Sequence, residues 1–157
     1  MNARGLSLQA TGFYNALPYL VGTVAMLVGG AMSDRFKNQR RFIFAIAILV
    51  AAASLALIIK VPSMELALLL QCVTALFLFL SQGIFWGIVV DILPTDQMAT
   101  GSSVVNCLGS IAGVISPIVI GKLLDISGGS YATTFTYLAI CLVLAGIIVP
   151  TLRTKTA

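Results

Sequence analysis

Gln71, Gln82, Trp86 and Asn106 carry amide or indole groups inside long apolar stretches. Amides both donate and accept hydrogen bonds, and an indole donates one while offering a flat face for stacking. Such groups recognise a small polar molecule; they do not react with it. Gln71, Gln82 and Trp86 share one helical face, because steps of 11 and 4 residues at 100° each nearly close a circle. Asn106 shares a face with Ser102, Ser110 and Gly113. Covalent chemistry has little to work with. There is no histidine, which removes His-dependent triads and His-ligated zinc. Cys72, Cys107 and Cys141 are scattered through apolar runs, with neither a disulfide framework nor metal-ligand spacing. The expectation is a chain that is not an enzyme and uses no metal and no cofactor.

Each candidate has a structural alternative. Trp86 fits the aromatic belt at a membrane interface, and Asn106 fits a hydrogen bond between helices. Gln71 and Gln82 fit either role. Asn15 and Tyr19, one turn apart in "YNALPY", read as neighbours of a Pro18 kink rather than as site residues.

A second group of residues is charged. "GGAMSDRFKNQRRF" packs Asp34, Arg35, Lys37, Arg40 and Arg41 together, whereas Ala10 to Met32 and Phe42 to Ile59 on either side carry no charge. Composition explains the segregation. The chain has 157 residues, 59% hydrophobic and 9% charged, against about 25% charged in a soluble domain. Charge-free runs of roughly 20 helical residues match the hydrocarbon thickness of a bilayer. Lipid leaves no free backbone group satisfied, so the spans are helices. The fold class is therefore all-α integral membrane, with five transmembrane helices in contact with lipid.

The spans are placed at about Ala10 to Met32, Phe42 to Ile59, Leu66 to Val90, Ser102 to Leu124 and Tyr131 to Leu152. The second, with Ser54 as its single polar side chain, reads as a peripheral helix facing lipid. The first, third and fourth read as facing other helices or a cavity. Gly109, Gly113, Pro117 and Gly121 recur every four residues in the fourth span, and Gly83 and Gly87 repeat the spacing in the third; this is a helix-packing stripe. Arg35, Lys37, Arg40, Arg41, Arg153 and Lys155 fall on one side, and Arg4, Lys60 and Lys122 on the other. The positive-inside rule makes the first side cytoplasmic, with the C-terminus. The basic residues thus report orientation and are too few for nucleic acid. Met1 then lies outside with no signal pattern, which suggests that sequence precedes it. Trp86 lies five residues before Asp91. Asn106 lies as deep past Thr100, so both sit about 7 to 9 Å inside the cytoplasmic boundary and face one cavity.

The segment "GAMSDRFKNQRR" resembles the G-x-x-x-D-R loop that joins the second and third helices of each half in the major facilitator superfamily. Gly30, Asp34 and Arg35 match it, while Arg40 and Arg41 come a residue or two late. "ARGLSLQATGFYNALPYL", "FWGIVVDILP" and "NCLGSIAGVISPIVIGKLLDISGGSYATTF" resemble the anion:cation symporter family within it. The resemblance implies that residues 1–157 are the C-terminal portion of a transporter, helices eight to twelve. Its partners would be a small organic anion, such as a sugar acid or carboxylate, and the missing N-terminal half. It implies substrate contacts from Trp86 and Asn106, with Gln82 and Gln71 nearby. It also implies a conformational latch formed by Gly30, Asp34, Arg35, Arg41 and Asp91. Helix seven, the first half and the family's proton-coupling and anion-binding charges are absent, and no charged residue lies mid-span. The alternative is a standalone five-helix membrane protein that binds a partner or itself without transporting.

Overall fold

A computed structural model describes residues 8–152; Arg4, Arg153 and Lys155 lie outside the described residues, as does the side chain of Asn15. Five long helices follow one another: α1 (Leu8–Arg35), α2 (Arg40–Ile58), α3 (Met64–Ile92), α4 (Met98–Ile126) and α5 (Tyr131–Ile148). All five are long and apolar enough to cross a membrane, so the chain is a multi-pass membrane protein. No strand occurs among the described residues. α1, α3 and α4 overrun the expected spans at both ends into polar flanks, because a backbone already hydrogen-bonded in one turn adds the next at little cost. α5 instead stops at Ile148, short of the expected Leu152, where the 3-10 turn Val149–Thr151 with Pro150 begins.

Local chemistry sets the breaks. Ser63 accepts a hydrogen bond from the Leu66 N–H at 3.3 Å and starts α3 after Pro62. Pro94 stands in extended backbone between α3 and α4. Gly128 and Gly129, at φ 64° and 86°, turn the chain from α4 into α5 in a conformation that glycine adopts freely. A short 3-10 turn, Lys37–Gln39, carries the charged loop between α1 and α2.

The packed part of the bundle runs α1 against α3, α3 against α2 and α2 against α5. Phe44 and Ile48 of α2 meet Ile84 and Ile88 of α3 in its core. Close backbone approach seats α1 on α3: a Cβ on Gly83 would lie 2.7 Å from the Gly30 nitrogen and collide with the Met26 carbonyl. Ser54 and Thr74 share a buried hydrogen bond of 2.8 Å between α2 and α3.

Two expectations about the spans are corrected here. α2 is not peripheral: Phe44, Ala45, Ala47, Ile48, Ala51, Ala52 and Ser54 are buried between α3 and α5. Its many alanines let neighbouring helices approach closely, and an apolar surface suits a helix neighbour as well as lipid. α4, expected to pack through its glycines, has no buried residue and touches little beyond α5 and the turn before it. A Cβ on Gly109, Gly113 or Gly121 would meet nothing within 4 Å, and Pro117 is exposed. Among the described residues, nothing packs on the glycines of this stripe.

Candidate functional site

A cavity of about 820 Å³ opens between α3 and α4 and reaches back to α2 and α5. Gln82 and Trp86 of α3 and Asn106 and Ser110 of α4 line it, with Phe44 of α2 and Phe85 behind them. The helical repeat explains the meeting. Gln82 and Trp86 are one turn apart on α3, as are Asn106 and Ser110 on α4. Gln71 is elsewhere: it is exposed and does not line the cavity. It shares the face of Gln82 but lies 11 residues away, about 16 Å along the axis. Angular agreement without axial agreement does not make a site.

The cavity wall is aromatic and neutral. Trp86 packs edge-on to Phe85, with ring centres 5.7 Å apart at 72°. Phe85 in turn packs against Phe44 at 6.4 Å. The Ser110 hydroxyl donates to the Asn106 backbone carbonyl within α4 at 3.0 Å, and the Asn106 side chain is exposed. None of the described residues that line the cavity is charged. No group of His, Cys, Asp or Glu able to hold a metal occurs among the described residues.

The charge cluster lies just beyond, one turn past Trp86 at the end of α3. Its centre is Arg40, which is 5% exposed. The Arg40 Nε donates to the Ser33 carbonyl at 2.7 Å. Its NH1 donates to the Gly87 carbonyl at 3.0 Å and to Asp91 Oδ1 at 2.7 Å. Its NH2 lies 3.5 Å from Asp34, whose side chain is 85% exposed. A Cβ at Gly87 would collide with the Ser33 hydroxyl and lie 3.2 Å from Arg40 Cζ, so a side chain there would have to displace Ser33 or Arg40.

Asp34 and Asp91 are thus brought together, but not by Arg41 or Arg35. Arg41 instead donates to the Leu152 carbonyl beyond α5. Arg35 is exposed and forms no ion pair among the described residues. Gly30 contributes backbone to the α1–α3 contact and has open space where a side chain would be. The guanidinium missed by sequence reasoning is Arg40. Adjacent helical residues point about 100° apart, so one of the Arg40–Arg41 pair faces α3 and the other does not. Arg40 and Phe44 are one turn apart on the face that also carries the core residue Ile48, but every face of Phe42 to Ile59 is apolar, so the sequence does not mark this face as the buried one.

The model of the Major Facilitator Superfamily matches residues 1–117. The hexuronate transporter of Bacillus subtilis is 24% identical over 142 residues, which covers 82% of this chain and 32% of that protein. A relative named for tartrate transport in Agrobacterium vitis is 30% identical over 124 residues, 79% of this chain and 27% of its own length. The quinolone resistance transporter of Acinetobacter baumannii is 30% identical over 122 residues, 77% of this chain and 28% of that protein. The chain spans about a third of the length of these curated relatives. No solved structure matches it. The five membrane-spanning helices and the match over most of the sequence agree: this chain belongs to the Major Facilitator Superfamily.

Proposed function

We propose that this chain is the C-terminal portion, helices eight to twelve, of a secondary transporter of the anion:cation symporter type. It would carry a small organic anion, such as a sugar acid or carboxylate, by alternating access across the cell membrane, with the C-terminus cytoplasmic. The observation that carries this reading is the cavity between α3 and α4, where Gln82, Trp86 and Asn106 converge. Relatives named for hexuronate and tartrate transport support the substrate class. Transporter sites lie between two structural repeats, so this chain supplies one wall. That wall offers neutral hydrogen-bonding groups and aromatic faces but no cation. The substrate's carboxylate is therefore held by the missing N-terminal half, and this wall takes its hydroxyl-bearing or apolar end. The glycine face of α4 is proposed to seat the rest of the carrier. The Asp34–Arg40–Asp91 cluster is proposed as the latch, with Arg40 in the place first given to Arg41.

The test is uptake of labelled hexuronate and tartrate by the carrier completed with its upstream sequence. Asn106→Ala and Trp86→Ala should raise KM at unchanged expression, and Asp91→Asn should lower turnover more than it raises KM. Unchanged KM in both cavity variants would remove the site assignment.

A further inference from the structure

Gly109, Gly113 and Gly121 of α4 each have open space where a side chain would stand. Glycine weakens a helix relative to alanine, and no packing among the described residues accounts for these three. They differ in one respect: Gly109 lines the cavity, and Gly113 and Gly121 do not. Depth gives Gly109 a counterpart. Gln82 lies nine residues before Asp91 on α3 and Gly109 nine past Thr100 on α4, so both stand about 13 to 14 Å inside the boundary. Trp86 and Asn106 form a second level, about 4.5 to 6 Å nearer that boundary. At the inner level an exposed Gln82 side chain meets bare backbone across the cavity. The neighbouring Ser110 hydroxyl is turned to the Asn106 carbonyl of its own helix. An amide both donates and accepts, so the inner level suits a hydroxyl-bearing carbon, and the missing side chain at residue 109 provides the width for it.

We propose that Gly109 sets the length of acid that the cavity accepts. An acid held at Trp86 and Asn106 runs its further carbons past Gly109, where Gln82 binds their hydroxyls. The proposal rests on the organic-acid reading of the cavity and adds to it a size limit and the residue that sets it. One small side chain is enough for such a limit, since a methylene gained or lost in a fitted pocket changes discrimination about 10- to 200-fold.

The test compares tartrate with glucarate. Both are diacids with a hydroxyl on every carbon between the carboxylates, and glucarate is longer by two C–C bonds of about 1.5 Å each. In the carrier completed with its upstream sequence, each acid would be measured as an inhibitor of labelled tartrate or hexuronate uptake. Gly109→Ala and Gly109→Leu should raise the ratio of the glucarate to the tartrate inhibition constant in step with side-chain size, by about tenfold for leucine. Gly113→Ala adds a methyl to the same helix outside the cavity and should leave the ratio as in the parent. An unchanged ratio in both Gly109 variants, an equal weakening of both acids, or an equal rise in Gly113→Ala would each overturn the proposal. Should Gly109→Leu fail to reach the membrane, Gly109→Ala decides alone, with the same meanings. Gly109→Cys in the carrier without its native cysteines examines the wall with no acid present: a water-soluble thiol reagent should label it as readily as Asn106→Cys. Labelling at position 106 but not at 109 would remove Gly109 from the wall and overturn its role. That failure is distinct from failure of the organic-acid reading, which shows as a parent carrier inhibited by neither acid.

Discussion

Replacing Arg40 by methionine should be the most damaging single change in the charge cluster. The substitution keeps side-chain length but removes hydrogen bonds to the Ser33 and Gly87 carbonyls and the 2.7 Å bond to Asp91. Asp91 is then stranded, with its side chain 12% exposed and its second oxygen, Oδ2, lacking any other partner among the described residues. Removing one member of a buried pair costs about 3–5 kcal/mol, because the remaining charge is uncompensated. Asp91→Asn leaves the guanidinium its two carbonyl bonds and Asp34, and should cost roughly 1.5–3 kcal/mol, the worth of a hydrogen bond to a charged group. Asp34→Asn removes a 3.5 Å contact from a side chain that is 85% exposed, and water and salt reduce that contact to about 0–1 kcal/mol. The assay is reversible unfolding of the chain in mixed micelles at increasing SDS fraction, followed by helicity. The expected order of loss is Arg40→Met, then Asp91→Asn, then Asp34→Asn, and only the last difference should fade in high salt. An Arg40→Met chain that loses less than about 1 kcal/mol, or loses no more than Asp34→Asn, would refute the burial reasoning.

Glycine positions give a second contrast in the same assay. Gly83→Ala forces α1 from α3 and should cost about 1–3 kcal/mol, whereas Gly113→Ala, in open space, should stabilise α4 by roughly 0.5–1 kcal/mol. Thr74→Val removes the interhelical bond to Ser54; the expected loss is about 0.6 kcal/mol, since the Ser54 hydroxyl keeps its bond to the Ala51 carbonyl. In uptake by the completed carrier, Gln71→Ala should leave KM unchanged while Asn106→Ala raises it. A higher KM for Gln71→Ala would place the substrate deeper than the cavity.

The five spans were legible because charge is excluded from the hydrocarbon core, so each charged turn marks a boundary. Which span packs against which was not. Lipid and a neighbouring helix present the same apolar surface, and Phe42 to Ile59 reads alike facing either. The glycines of α3 and α4 share one spacing, yet Gly83 meets the backbone of α1 and Gly113 meets nothing; spacing marks a face that permits approach, not one that receives it. Trp86 and Asn106 could be placed near each other by depth, because rise per residue converts sequence position into height. Gln71 could not be excluded by its helical angle, which ignores height. The choice between Arg40 and Arg41 depended on the register in which α2 leaves the Lys37–Gln39 turn, a 100° matter that composition does not encode.

Substrate protection at Asn106 tests most directly whether this chain forms one wall of an organic-acid site. In the completed carrier with its native cysteines replaced, Asn106→Cys would be labelled by a water-soluble thiol reagent with and without hexuronate or tartrate, beside Gln71→Cys. Slower labelling at position 106 in the presence of substrate, with position 71 unaffected, is the predicted result. Equal labelling at position 106 with and without either acid, or the same protection at both positions, would contradict it.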